Sequence, residues 1–250
     1  MTMTQQQTSE TGERPRLWYE PAPQHFDTRV AWWIKAGIVA AATAAAILWI
    51  DQPVAAWALK AMPIPDLNNA SAKHGDLGRE LMLLEQWGQW VCSVLVIAAV
   101  ALIDKKGRRR ALAIGIGCLL TVLATYLLKD LCGRTRPWVL GDGLWTWGGP
   151  AEGFTGGSKW ASFPSAHTTG AFALSCGLAW FYPRARGLFM TLAVITAVQR
   201  VLHGAHFVSD TLAGMGLAVI TMRWTLRGKL AGRAIASAPP RVREWWMGGE

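Results

Sequence analysis

Gly187–Trp224 reads GLFMTLAVITAVQRVLHGAHFVSDTLAGMGLAVITMRW: two apolar runs joined through a dozen residues, Gln199–Asp210, that carry Arg200, His203, His206 and Asp210. The pattern predicts two membrane helices with ionisable groups where they meet. Such groups are costly at the edge of a membrane span and invite a functional explanation, the other reading being a solvated helix end at the interface. Gly204 predicts a break in the helix, because glycine is a poor helix former and takes unusual backbone angles. With a new helix starting near His206, Asp210 falls one turn further along the same face. A carboxylate there can accept a hydrogen bond from one nitrogen of His206, which fixes the tautomer and makes the other nitrogen a better nucleophile or base.

The composition agrees with a membrane chain. Of 250 residues, 52% are hydrophobic and only 16% charged, whereas a soluble domain carries nearer a quarter charged. The formal charge of +9 raises the question of nucleic acid. The basic residues, however, gather beside apolar runs, as in Lys105, Lys106, Arg108, Arg109 and Arg110, which fits the positive-inside rule and excludes a nucleic-acid footprint. Four cysteines, three of them inside apolar runs, read as packing residues and not as a disulfide scaffold.

Residues 1–29 form a polar tail, expected to be loosely held. The membrane domain is expected over 30–226, with a basic tail at 227–250. Its first span is read as Ala31–Ile50, closed by Trp49 and Asp51, with tryptophans at both ends as in an interfacial aromatic belt. A Pro-Ile-Pro turn at Pro63–Pro65 follows, then an amphipathic helix near Asp76–Trp87 that covers the bundle. Further spans are expected at Gly88–Ile103, Ala111–Leu128, Thr168–Tyr182, Gly187–Val198 and Phe207–Trp224, the fourth and fifth extended by their flanks to reach about 20 residues. The fold expected is all-α, a polytopic bundle of six transmembrane helices. Counting Lys and Arg with the amino terminus inside puts sixteen on that side and eight on the other, so both termini are expected in the cytoplasm.

This topology brings three ionisable clusters to the outer face: Lys129–Pro137 (KDLCGRTRP), Phe163–His167 (FPSAH) and Arg200–Asp210. Lys129, Arg136 and Arg200 would surround one point with fixed positive charge, and arginine's planar fork suits phosphate oxygens. The Ser165 hydroxyl and the backbone N–H groups of Ser165, Ala166 and His167 at a helix start add donors. Two histidines at such a site can divide phosphoryl transfer, one attacking phosphorus and the other protonating the departing oxygen.

Taken together, Lys129 with Arg136-Pro137, then Pro164-Ser165-Ala166-His167, then Arg200, His206 and Asp210, resemble the three-part signature of the type 2 phosphatidic acid phosphatase family. The motifs lie at 129–137, 164–167 and 200–210. The resemblance implies that His206 is a nucleophile forming a phosphohistidine, oriented by Asp210. It implies that His167 is the general acid and then the base for water. Lys129, Arg136, Ser165, Ala166 and Arg200 would hold the phosphoryl oxygens, with no metal and no cofactor. His203 and His206 are three apart, but no carboxylate or cysteine completes a metal shell with them. Two positions depart from the family pattern: Ala166 stands where glycine is usual, and Gln199 where serine is usual. A backbone needing positive φ would be strained by alanine, and glutamine can still donate to phosphate or a neighbour.

Arg134 either flanks the phosphate or faces solvent, solvent being favoured because the family pattern does not require it, and His74 is read as exposed in the first outer loop. His203 is either a headgroup contact or a helix-end group, and Gly141–Trp160 an irregular loop serving as a lid or an interface anchor. The function implied is hydrolysis of a lipid-linked phosphate monoester or pyrophosphate at the periplasmic face of a bacterial inner membrane. Phosphatidic acid, phosphatidylglycerol phosphate, undecaprenyl pyrophosphate and a lipid A phosphate all present the same group to such a site. A lipid phosphotransferase using the same residues is the enzymatic alternative, and an anionic-lipid binding or transport protein the other. Binding alone needs only the cations, whereas hydrolysis needs both histidines. The partners expected are a lipid phosphate and the bilayer, and oligomeric state leaves no mark in the sequence.

Overall fold

The computed structural model describes residues 29–61, 83–104, 107–139 and 146–227. The polar tail before residue 29, the Pro63–Pro65 turn, His74, most of the expected Asp76–Trp87 helix, Lys105, Lys106 and the basic tail beyond 227 lie outside the described residues. Eight α-helices order the rest: α1 (Arg29–Ala45), α2 (Asp51–Ala61), α3 (Trp90–Ile103), α4 (Gly107–Cys132), α5 (Gly149–Thr155), α6 (Ala166–Phe181), α7 (Arg186–Leu202) and α8 (Val208–Arg227). Each of the six apolar runs picked out in the sequence is largely helical. Among the described residues β-pairing is confined to isolated bridges at Arg134.

α1 and α2 are one apolar helical stretch, Trp33–Ala61, joined by a π turn at Ala46–Ile50. The expected end at Ile50 is therefore corrected. The helix continues because Asp51 does not meet solvent. Its side chain is fully buried and satisfied inside the bundle, next to a π turn of the kind that often marks functional sites.

The core forms around α6, which packs on α4, α7 and α8, while α1 lies against α8. Ala171, Ala173 and Leu174 of α6 are buried against Ala113 and Ile114 of α4, Ala193 of α7, and Ala218 and Met222 of α8. Small side chains let the helix backbones approach, as in membrane bundles generally. Outward, the bundle shows Ile38, Leu48, Leu102, Leu119, Leu123 and Val198 to its surroundings, an apolar exterior of the kind a lipid solvent covers. Among the described residues three helical stretches are long and apolar enough to cross a membrane: Trp33–Ala61, Gly107–Cys132 and Pro183–Leu202. α3 is apolar but shorter. All four cysteines are free.

Two further expectations resolve differently. Gly204 breaks the helix as read: φ is +60° there, and the N–H groups of Ala205 and His206 turn back to the Arg200 carbonyl at 3.2 and 3.3 Å. Gly141–Trp160, expected to be irregular, is regular over most of its described part. It forms α5 and a 3-10 turn at Gly157–Trp160, tied down by Gly148 N–H to the Gly133 carbonyl and Thr135 N–H to the Thr146 carbonyl.

Candidate active site

Beyond Cys132 the chain turns at Gly133, where φ is +52°, and Gly133–Arg136 then runs between Thr146–Gly148 on one side and Lys159–Ser162 on the other. Arg136 N–H donates to the Lys159 carbonyl, and Ser162 N–H to the Arg134 carbonyl. That frame aims two cations at one spot. Lys129 Nζ, from the last turn of α4, donates to the Ala161 carbonyl at 2.5 Å. Arg136 reaches the same carbonyl through Nη2 at 3.4 Å and the Ser158 carbonyl through Nε at 2.8 Å.

His206 is 2% exposed, in the turn between α7 and α8. Its Nδ1 faces Asp210 Oδ2 at 3.5 Å. That is an ion-pair distance and too long for a hydrogen bond, so Nδ1 has no hydrogen-bond partner among the described residues. Burial is the main reason the imidazole sits far below the usual histidine range, at about 3, and the pull of Asp210 opposes it. Neutral imidazole is the form a nucleophile needs.

Asp210 is held from four directions. Its Oδ2 accepts from Ser162 Oγ at 2.6 Å and from Phe207 N–H at 2.9 Å. Its Oδ1 accepts from Arg134 Nη1 at 2.6 Å, and its own carbonyl accepts from Ser165 N–H at 3.1 Å. The last bond joins the second cluster to the third. It also takes the Ser165 amide away from the oxyanion role expected of it.

Arg134, read from the sequence as facing solvent, is fully buried. The correction has a clear physical cause. Nη1 serves Asp210 and Ser209 Oγ, Nη2 serves Asp51 at 2.8 Å, and the guanidinium stacks 4.2 Å from the Phe207 ring centroid. Asp51 is in turn bonded by Ser209 N–H at 3.0 Å and Ser209 Oγ at 2.5 Å. Charge buried this completely persists only when it is paired and hydrogen-bonded, as both terminal nitrogens of Arg134 are.

His167 is half-buried in the first turn of α6. Ser165 precedes that helix, and its hydroxyl accepts from Thr168 Oγ1 at 3.1 Å. Ala166 is the first residue of α6 in an ordinary helical conformation, so its methyl brings no positive-φ strain. Arg200, at the end of α7, gives Nη1 to Glu85 Oε2 at 2.6 Å, while its Nε is buried with no partner among the described residues. Gln199 donates to the same Glu85 oxygen at 2.7 Å. Its bond therefore goes to a neighbour and not to a phosphate position.

Lys129 and Arg136 lie close enough to both imidazoles to act on them, and Arg200 close enough to act on His167. Burial first, then the Arg200 guanidinium, lowers the Arg136 pKa. Three cations held together in this way favour an anion between them. Among the described residues no three His, Cys, Asp or Glu side chains gather as a metal shell. His203 caps the end of α7.

Asp51, Glu85, Gln89, Ser162 and Ser209 were not singled out from sequence. One signal was available for Asp51: a carboxylate bounded on both sides by apolar helix requires a buried partner.

The model of the PAP2 superfamily matches residues 110–231, a segment that holds all three clusters. Over 94 residues the chain is 37% identical to a lipid A 1-phosphatase of Rhizobium johnstonii (strain DSM 114642 / LMG 32736 / 3841), covering 37% of each chain. It is 36% identical over 94 residues to a lipid A 1-phosphatase of Rhizobium etli (strain ATCC 51251 / DSM 11541 / JCM 21823 / NBRC 15573 / CFN 42), covering 37% of this chain and 39% of that one. The chain thus spans little more than a third of the length of these curated relatives. No solved structure matches.

Proposed function

We propose that this protein is an integral membrane phosphatase that removes phosphate from a lipid, with a lipid A phosphate monoester the favoured substrate class. The buried His206 backed at Nδ1 by the locked Asp210 carboxylate carries this reading. Similarity to two lipid A 1-phosphatases supports the choice among lipids.

A proton on His206 Nδ1 faces Asp210, which leaves the Nε2 lone pair to attack phosphorus. As the N–P bond forms and the bond to the lipid oxygen breaks, His167 gives that oxygen its proton. His167 then takes a proton from water, whose oxygen attacks phosphorus and releases His206 and inorganic phosphate. Lys129, Arg136 and the Nε edge of Arg200 stabilise the phosphoryl oxygens throughout. This is catalysis by positioning and charge, with no metal ion invoked. The six apolar helices would span the bilayer, with both termini cytoplasmic and the site at the opposite face.

The test is phosphate release by detergent-purified protein from lipid A, phosphatidic acid, phosphatidylglycerol phosphate and undecaprenyl pyrophosphate, with chelator present, beside His206→Ala. Release from lipid A that disappears in the variant is expected. Folded wild-type protein that binds these lipids and releases nothing would sink the hydrolase reading.

A further inference from the structure

The segment Glu85–Gln89 (EQWGQ) enters the site from outside the three motif clusters. It is fixed to two helices at once. The Leu84 carbonyl accepts from Thr196 Oγ1 at 3.2 Å, Glu85 takes Gln199 and Arg200, and Trp87 Nε1 donates to Ser175 Oγ at 2.9 Å. Gly88 lies against the backbone of His167 so closely that a Cβ there would stand 2.3 Å from the His167 carbonyl oxygen, so only glycine fits. The next residue, Gln89, then brings its side-chain amide nitrogen to 2.8 Å from His167 Nε2.

We propose that Gln89 is a positioning residue for His167, the general acid and base of the reaction proposed above, on which this inference rests. The step asks His167 to hold a proton and later to lack one. A primary amide suits both states: after rotation its carbonyl accepts from Nε2–H, which stays in place while Nδ1 gives its proton to the lipid oxygen and later takes one from water. It does so without adding charge to a site where Lys129, Arg136 and Arg200 repel a protonated His167 and Glu85 favours one. Glu85 engages Arg200 through Nη1, and Arg200 Nε is buried without a hydrogen-bond partner among the described residues.

The experiment compares Gln89→Glu and Gln89→Leu with wild type in two readouts. One is the pH profile of kcat and KM on a lipid phosphate. The other is the rate at which diethylpyrocarbonate modifies His167, followed by mass spectrometry against pH, which reports neutral imidazole and needs no substrate. A carboxylate at position 89 favours imidazolium, so Gln89→Glu is expected to move the half-modification pH of His167 upward by about one unit or more. The alkaline limb of kcat should move with it. Gln89→Leu is expected to lower kcat roughly tenfold or more while KM changes little. Unchanged modification and pH profiles in Gln89→Glu overturn the proposal, whether or not Gln89→Leu folds. If wild type releases no phosphate, the hydrolase reading fails, and the modification profile still decides whether Gln89 controls His167.

Discussion

Replacing Arg134 by lysine keeps the charge and removes the fork. Arginine reaches Asp210 and Ser209 with one nitrogen and Asp51 with the other, in a place where all three charged side chains are fully buried. Lysine is a single point of charge and can serve one carboxylate at a time. Breaking one buried ion pair costs about 3–5 kcal/mol when a charge is left uncompensated. The two Ser209 bonds that Asp51 keeps offset part of this, so a loss of about 2–4 kcal/mol is expected. For a chain of this size that lowers the apparent melting temperature by roughly 5–15 °C at fixed scan rate and detergent. Arg136→Lys is the matched control two residues away. Its donors go to the Ser158 and Ala161 carbonyls at a half-buried site, so its melting temperature should shift by no more than about 2 °C. It should instead lose roughly 10- to 100-fold in kcat/KM, because a phosphate clamp has been weakened. Equal melting temperatures for the two variants would refute the assignment of Arg134 to the interior network.

Asp210→Asn should lower kcat by about two to four orders of magnitude while KM changes little, because the anion facing His206 is lost and no phosphate contact is touched; steady-state kinetics on lipid A would show this. Asp51→Asn leaves Arg134 with a single carboxylate, and kcat should fall about tenfold or more while the Ser209 contacts keep the fold. Unchanged kcat in a properly folded Asp51→Asn protein would count against an electrostatic role for that residue. His206 also predicts a pH dependence of stability. The unfolded imidazole gains its proton near pH 6.5 and the folded one only near about 3, so between those values the unfolded chain binds the extra proton and stability falls as pH falls. Wild-type protein should therefore lose more thermal stability from pH 7 to pH 4 than His206→Asn does, and parallel curves would contradict the burial of a neutral His206.

The candidate site was legible wherever its residues are set by local spacing. Lys129 and Arg136, Ser165 and His167, and Arg200, His206 and Asp210 are each set by a few residues of sequence, and their helices announce themselves as apolar runs. The structure brings these clusters to one place, through the Ala161 carbonyl for the cations and the Ser165–Asp210 bond for the helices. What could not be read was the tier that holds them. Asp51 and Arg134 are 83 residues apart, and Glu85 and Arg200 115 apart. Such pairs are made by helix packing and leave no periodic trace. Arg134 misled for a related reason: an arginine among loop cations has the same local appearance whether it faces water or a buried pair of carboxylates.

Charge explains why that second tier contains two acids and one base. A lone Arg134 against Asp210 would nearly neutralise the carboxylate that must stabilise a proton on His206 Nδ1. With Asp51 on its other end, the guanidinium is shared, and the buried group of Asp51, Arg134 and Asp210 keeps one net negative charge facing the imidazole. In the proposed reaction His206 becomes cationic as it bonds to phosphorus, and that charge would be matched inside a dry environment where an unmatched one is costly. The proposed phosphoryl side carries the complementary bias, since Lys129, Arg136 and Arg200 are positive and, among the described residues, Arg200 is the one of the three bonded to an acid. Anion-gripping cations thus stay separate from the cation that serves the acids. That separation is what lets neighbouring arginines in the same short loop, Arg134 and Arg136, do opposite work.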